Sequence, residues 1–222
     1  MWDAILAPIE NLMSWALTFL YNLTVQAGWP SYGVAIILLT IAIKMILYPL
    51  TVKQVKSMKA MQNIAPKMKE IQEKYKDNKE KQQKEVANLY KDAGVNPLAG
   101  CLPLLVQMPF FISIFFVIKG FHYESNPSFL WIPNLAQENP SDPLLILPAL
   151  AAITTYITSK QTMTDNSQQN KAMLFVMPIM IGWFSYQFPA GLALYWVVSN
   201  FVQIVQQWWL YRTPAVGQGE AR

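Results

Sequence analysis

The sequence predicts an all-α polytopic membrane protein, with five transmembrane helices around a hydrophilic groove. A cytoplasmic helical hairpin and an N-terminal interfacial amphipathic helix complete the expected architecture. Three observations carry this. First, 17 of the 30 formal charges, eleven lysines and six carboxylates, fall between Lys53 and Asp92, whereas a soluble domain spreads its charges over its whole surface. Second, the rest of the chain contains five apolar segments near the roughly 20 residues that ~30 Å of hydrocarbon requires. Third, 15 of the 17 basic residues lie in the segments that alternate spans place on one side. The high apolar content excludes disorder. Cys101 is the only cysteine and His122 the only histidine, which argues against a disulfide scaffold or a structural metal site.

Residues 1–30 lack the cationic leader of a secretory signal, since their first charge is Asp3. Ile5, Ile9, Leu12, Ala16, Phe19 and Leu23 recur at three- and four-residue steps. This reads as a helix lying on the outer membrane surface, with a sixth span as the alternative. The first span is expected at 31–52. Residues 53–94 follow as a helical hairpin, with a turn at Lys76-Asp77-Asn78-Lys79 and a stop at Gly94 and Asn96-Pro97. The hairpin is either a solvated connector whose lysines fix topology and touch anionic lipid, or a docking arm. Met58, Met61 and Met68, flanked by Lys59 and Lys67, favour the arm, because methionine rows suit surfaces that accept varied apolar ligands. The same methionines could instead pack against the other arm.

The second span is expected at 97–121, the third at 143–159, the fourth at 172–188 and the fifth at 190–211. Pro103, Pro109, Pro148 and Pro178 fall inside spans. Membrane helices accept such prolines where neighbours satisfy the freed backbone groups. The outside loop 122–142 has no Lys or Arg, the loop 160–171 has two lysines, and the tail 212–222 carries Arg212 and Arg222. This puts the N-terminus outside and the C-terminus in the cytoplasm, with Trp208, Trp209 and Tyr211 as an inner-interface anchor.

Lys44 is the one charge well inside a span. A lysine at mid-membrane costs about 2.5–3.5 kcal/mol on insertion scales, so it faces a wet cavity or snorkels to the interface. No Asp or Glu occurs in another span to pair with it. Thr40, Tyr48 and Thr51 share its helix face, and Trp196, Asn200, Gln203 and Gln207 form a similar stripe in the fifth span. Gln107, Thr155, Ser159 and Ser185 add polar groups. Polar residues in lipid often only bridge helices. Together with an unpaired cation they point to a hydrated, positive groove open to the cytoplasm. A small-molecule transporter or channel would use similar residues, but neither inverted repeats nor paired intramembrane charges occur. No pair of intramembrane carboxylates and no hydrolase or metalloprotease motif suggests an enzyme.

The sequence resembles the YidC family of membrane protein insertases, which has relatives in mitochondria and chloroplasts. The resemblance rests on Tyr48-Pro49-Leu50-Thr51, on Leu89-Tyr90-Lys91, and on the run from Val95-Asn96-Pro97-Leu98 to Gln107-Met108-Pro109. Phe188-Pro189-Ala190-Gly191-Leu192, Tyr195-Trp196 and Ser199-Asn200 complete it. It covers about residues 30–212 and implies a bacterial inner-membrane protein that inserts other membrane proteins through a lipid-open groove. No cofactor is implied. The implied partners are nascent membrane proteins and lipids, with the general secretion channel, targeting factors and the ribosome as further candidates, and no sequence-specific nucleic acid. Lys44 stands where members often carry arginine, which keeps the charge but loses the bidentate fork. Ser159 stands where many have glutamine. Neither a large outer domain nor a ribosome-binding basic tail is expected.

Overall fold

A computed structural model describes residues 2–94, 96, 102–123, 127–137, 142–163 and 168–212. Eight helices are seen among them: α1 (Trp2–Gln26), α2 (Tyr32–Ile46), α3 (Tyr48–Lys74), α4 (Lys79–Asp92), α5 (Leu102–Gly120), α6 (Ile146–Thr162), α7 (Gln168–Gln187) and α8 (Ala190–Arg212). The only β pairing among the described residues is an isolated bridge between Phe129 and Ile132. Most of the motif run from Val95 to Cys101, the acidic Glu124 and Glu138, and the tail beyond Arg212 lie outside the described residues.

The first expected span is not one rod. Its helix ends at Ile46, Leu47 caps it, and α3 leaves at 62° to α2. Pro49 is the cause: it has no N–H for the Met45 carbonyl, and its ring would clash there in a continuous helix. The expected span 31–52 thus contains a helix break at Leu47. Taken singly, none of the described helices is long and apolar enough to cross a membrane, whereas the bent pair α2–α3 is, by length and composition. In α6 and α8 the apolar run is interrupted by Thr154, Thr155, Thr158, Gln206 and Gln207, all buried inside the protein. Leu38, Phe116, Ile153, Ile179, Trp183 and Phe201 face outward. This is the inverse of a water-soluble surface.

The apolar core gathers at one end of the bundle. It joins Leu17 and Tyr21 of α1, Tyr32, Ile36 and Leu39 of α2, and Ile114 and Ile118 of α5 to Leu135, Leu147 and the first turns of α8. Tyr21 stacks on Tyr32 with ring centroids 3.8 Å apart, and Tyr123 meets Tyr32 edge-on. On α1 the stripe packed against the protein is Met13, Leu17, Tyr21 and Thr24. Leu12, Phe19 and Leu23 of the face read from the sequence stay exposed.

Helix ends are held by side chains and loops, as orphan N–H and C=O groups require. Ser31 caps α2 through the Val34 N–H, and Asn78 caps α4 through the Lys81 N–H. Asp142 accepts from the backbone N–H of Leu144 (3.1 Å) and Leu147 (2.6 Å) at the start of α6, and from Trp131 Nε1 (3.0 Å). The Gly191 N–H of α8 donates to the Leu135 carbonyl at 2.8 Å. At the opposite end, Lys59 Nζ of α3 donates to the Leu210 carbonyl of α8 at 2.7 Å. Four residues on stands Pro214, which has no N–H to offer that carbonyl. Gln62 Nε2 likewise donates to the Met163 carbonyl that ends α6, at 3.1 Å. Helix α3 therefore splints α6 and α8 together.

Candidate functional site

Three sequence-predicted residues from three helices meet. Lys44 Nζ of α2 donates to Gln107 Oε1 of α5 and to Gln203 Oε1 of α8, each at 3.3 Å. Gln107 Nε2 in turn donates to the Tyr195 hydroxyl. Lys44 is only 7% exposed, and both of these partners are neutral amides. Among the described residues its charge is thus solvated by dipoles and no carboxylate pairs with it, and an ammonium has three donors to give. Lys44, Gln107 and Gln203 line a small open pocket together with Leu47, Leu50, Thr51, Gln54 and Val106. The helix break creates that space, since the redirected α3 carries Leu50, Thr51 and Gln54 across the mouth.

Thr155, Trp196 and Asn200 form a separate cluster. Trp196 Nε1 donates to Thr155 Oγ1 at 3.0 Å, and Asn200 Nδ2 donates to Thr155 Oγ1 at 3.0 Å and Thr154 Oγ1 at 3.2 Å. The Trp196 ring meets Phe111 edge-on. This cluster fastens α6 to α8 with its donors already engaged, the structural use that intramembrane polar groups often have. Thr40 is fully buried and its hydroxyl donates to the Ile36 carbonyl at 2.7 Å, so it does not reach the pocket. Ser159 is half-buried one turn beyond Thr155. Among the described residues these polar side chains fall into two clusters, and the pocket described above is lined by the Lys44 cluster.

In the hairpin the methionines take the packed alternative. Met58 is 1% exposed, and Met61 and Met68 are buried with it. Met68 Sδ accepts from the Tyr90 hydroxyl of α4 at 3.1 Å, and Gln82 Nε2 donates to the Gln72 carbonyl, so α4 folds back along α3. The methionine row is internal packing and not an exposed docking stripe. Its helical spacing is the same for either use, and only burial separates them. Lys59 is engaged at the end of α8 and also sits 4.9 Å from the Tyr211 ring centre, whereas Lys67 is exposed.

Gln54, Tyr195 and Gln206 are pocket or near-pocket residues that spacing along the expected helices missed. Gln54 is brought round by the bend, which a straight-span reading cannot show. Gln206 follows Gln203 by three residues, so it shares that polar stripe, and its Nε2 donates to the Lys44 carbonyl at 3.3 Å. Among the described residues no three His, Cys, Asp or Glu converge on a metal position.

Comparison with known proteins adds family to this geometry. The family model for the 60Kd inner membrane protein matches residues 23–216. The chain is 43% identical over 201 residues to membrane protein insertase YidC 1 of Listeria monocytogenes, covering 87% of this chain and 67% of that one. It is 39% identical to membrane protein insertase YidC of Fusobacterium nucleatum, over 93% of this chain and 98% of the relative. Among solved structures, an active YidC insertase crystal structure with its first transmembrane domain resolved superposes with a TM-score of 0.72 at 29% identity. That match covers 96% of this chain, which spans about half (47%) of the solved one. With a family model spanning most of its length and one relative matched nearly end to end, the chain belongs to the 60Kd inner membrane protein family, in which its matched relatives are the YidC insertases.

Proposed function

We propose that this chain is a membrane protein insertase of the bacterial inner membrane, receiving client segments from the cytoplasm and passing them into the bilayer. The observation that carries the reading is Lys44, a buried cation held by neutral amides on the wall of an open pocket. A client's polar or acidic N-terminal segment enters there and finds a positive charge and amide dipoles in place of the water it leaves. That lowers the desolvation barrier a charged segment meets in lipid. Its apolar segment meanwhile moves between helices into the bilayer. No bond is made or broken, so the activity is physical and needs no cofactor.

In this reading the bent pair α2–α3, α5, α6, α7 and α8 supply five spans, with the N-terminus outside and the C-terminus in the cytoplasm. Helix α1 lies on the outer surface, its exposed Leu12, Phe19 and Leu23 toward lipid. The α3–α4 hairpin stands in the cytoplasm and receives clients, or the ribosome, targeting factors or secretion channel that bring them, through exposed faces such as that of Lys67. The basic composition of the hairpin and the family membership support this placement.

The test is insertion of a single-span client with an acidic N-terminal tail into proteoliposomes holding the purified protein. Lys44→Glu is expected to abolish insertion and Lys44→Arg to retain it. Full activity of Lys44→Glu would remove the electrostatic step.

A further inference from the structure

The pocket depends on where α2 stops, and one residue outside the pocket holds that stop. In an unbroken helix the Lys44 carbonyl would accept from the Tyr48 N–H, but the chain turns by 62° between them. Gln206 Nε2 of α8 donates to this carbonyl instead, at 3.3 Å. Gln206 is 8% exposed, and its Oε1 has no partner among the described residues. A buried amide with one end unsatisfied is unfavourable where Leu or Met would fill the same space. The bond to Lys44 is what this side chain supplies that an apolar one would not.

We propose that Gln206 is a positioning residue for the insertase reaction: it locks the α2–α3 bend through the Lys44 backbone and so fixes how Lys44 Nζ is presented to the pocket. Gln203, one turn earlier on α8, holds the ammonium of the same lysine. One helix face thus grips Lys44 at both its backbone and its tip. Without Gln206 the freed carbonyl seeks a donor along its own chain, which favours a straighter α2–α3 junction and swings Leu50, Thr51 and Gln54 from the pocket mouth.

The inference rests on the insertase reading for its functional half and on geometry alone for its structural half, so the test separates them. Spin labels at Leu38 of α2 and Lys69 of α3, both exposed, report the bend by their distance distribution in the full chain in liposomes, in a Cys101→Ala background. A second pair at Ile157 and Val205, on α6 and α8, reports whether the bundle is folded. Gln206→Met is expected to shift or broaden the first distribution and leave the second unchanged. It should also lower insertion of a client with an acidic tail several-fold more than that of a client with an uncharged tail. Gln206→Lys keeps a donor for the carbonyl and is expected to restore the native distribution. An unchanged first distribution in Gln206→Met, or a Gln206→Lys distribution as broad as the Met variant's, overturns the positioning role whatever insertion does. A shifted bend with equal insertion of both clients overturns its functional half. Lys44→Glu with full activity, beside an intact Gln206 effect on the bend, would instead sink the insertase reading of the pocket.

Discussion

Lys44 stood out in the sequence because a lone cation among apolar residues needs a reason. Gln107 and Gln203 were among the polar residues offered by other helices, but nothing in the sequence singled them out as its partners. What spacing could not reveal is which polar residues are already engaged. Trp196 and Asn200 share the stripe of Gln203, yet their donors bond Thr154 and Thr155. A photocrosslinker at Gln203 or Thr51 should therefore capture a nascent single-span client during translation, and one at Thr155 should capture little. Equal capture at both would mean that the α6–α8 cluster opens to clients. Away from the pocket, Tyr123 donates to the Ile118 carbonyl at 3.0 Å, and burial, aided by Tyr32 beside it, raises its phenol above the usual tyrosine range. An unfolded tyrosine ionises near pH ~10, so above that pH the unfolded state loses a proton that the folded state keeps, and stability falls as pH rises. Thermal midpoints measured in detergent from about pH 9 to 11 should fall more steeply for the native protein than for Tyr123→Phe. Gly33 faces the Phe129 ring so closely that an added Cβ would lie 2.1 Å from it. Gly33→Ala should lower stability by about 1–3 kcal/mol, read from the same melts.

Among the elements, helix existence was readable throughout the described residues, while the site-forming detail was not. Pro49 stood in plain view, but the apolar count ran past it to Val52, because membrane helices often carry proline without breaking. Here Pro49 does break the helix, at a 62° turn where Gln206 of α8 donates to the Lys44 carbonyl. The methionines of α3 teach the same lesson in reverse, since a row that looked available is sealed by neighbouring helices. Helix α3 is tied to α8 by Lys59 and to α6 by Gln62. A cation on the last carbonyls of a helix contributes about 0.3–1 kcal/mol. Lys59→Ala should thus speed hydrogen exchange in the last turn of α8 by roughly two- to fivefold, with α5 unaffected. An unchanged rate would show that the contact holds nothing.

At the scale of the molecule, the packed apolar core lies at the end formed by Tyr32, Gly120, Ile146 and Ala190, and the polar pocket lies toward the other. In the orientation proposed above, the outer half is a solid plug and the inner half is the working part. Helix α6 has 17 residues, about 26 Å, and the apolar part of α7 runs only from Ala172 to Gln187. Both are short against a ~30 Å hydrocarbon layer. Bilayer thickness measured around the reconstituted protein should therefore dip beside α6 and α7, and an unperturbed bilayer would count against thinning as part of the mechanism. The grip of Lys59 on Leu210 adds a last consequence. The lysine occupies a carbonyl that a continuing helix would claim for itself, and proline, the residue at 214, has no N–H with which to claim it. Replacing Pro214 by alanine would let the backbone compete with Lys59 for one acceptor. A change in the tail would then act as a wedge, prising the basic arm from the bundle without touching either.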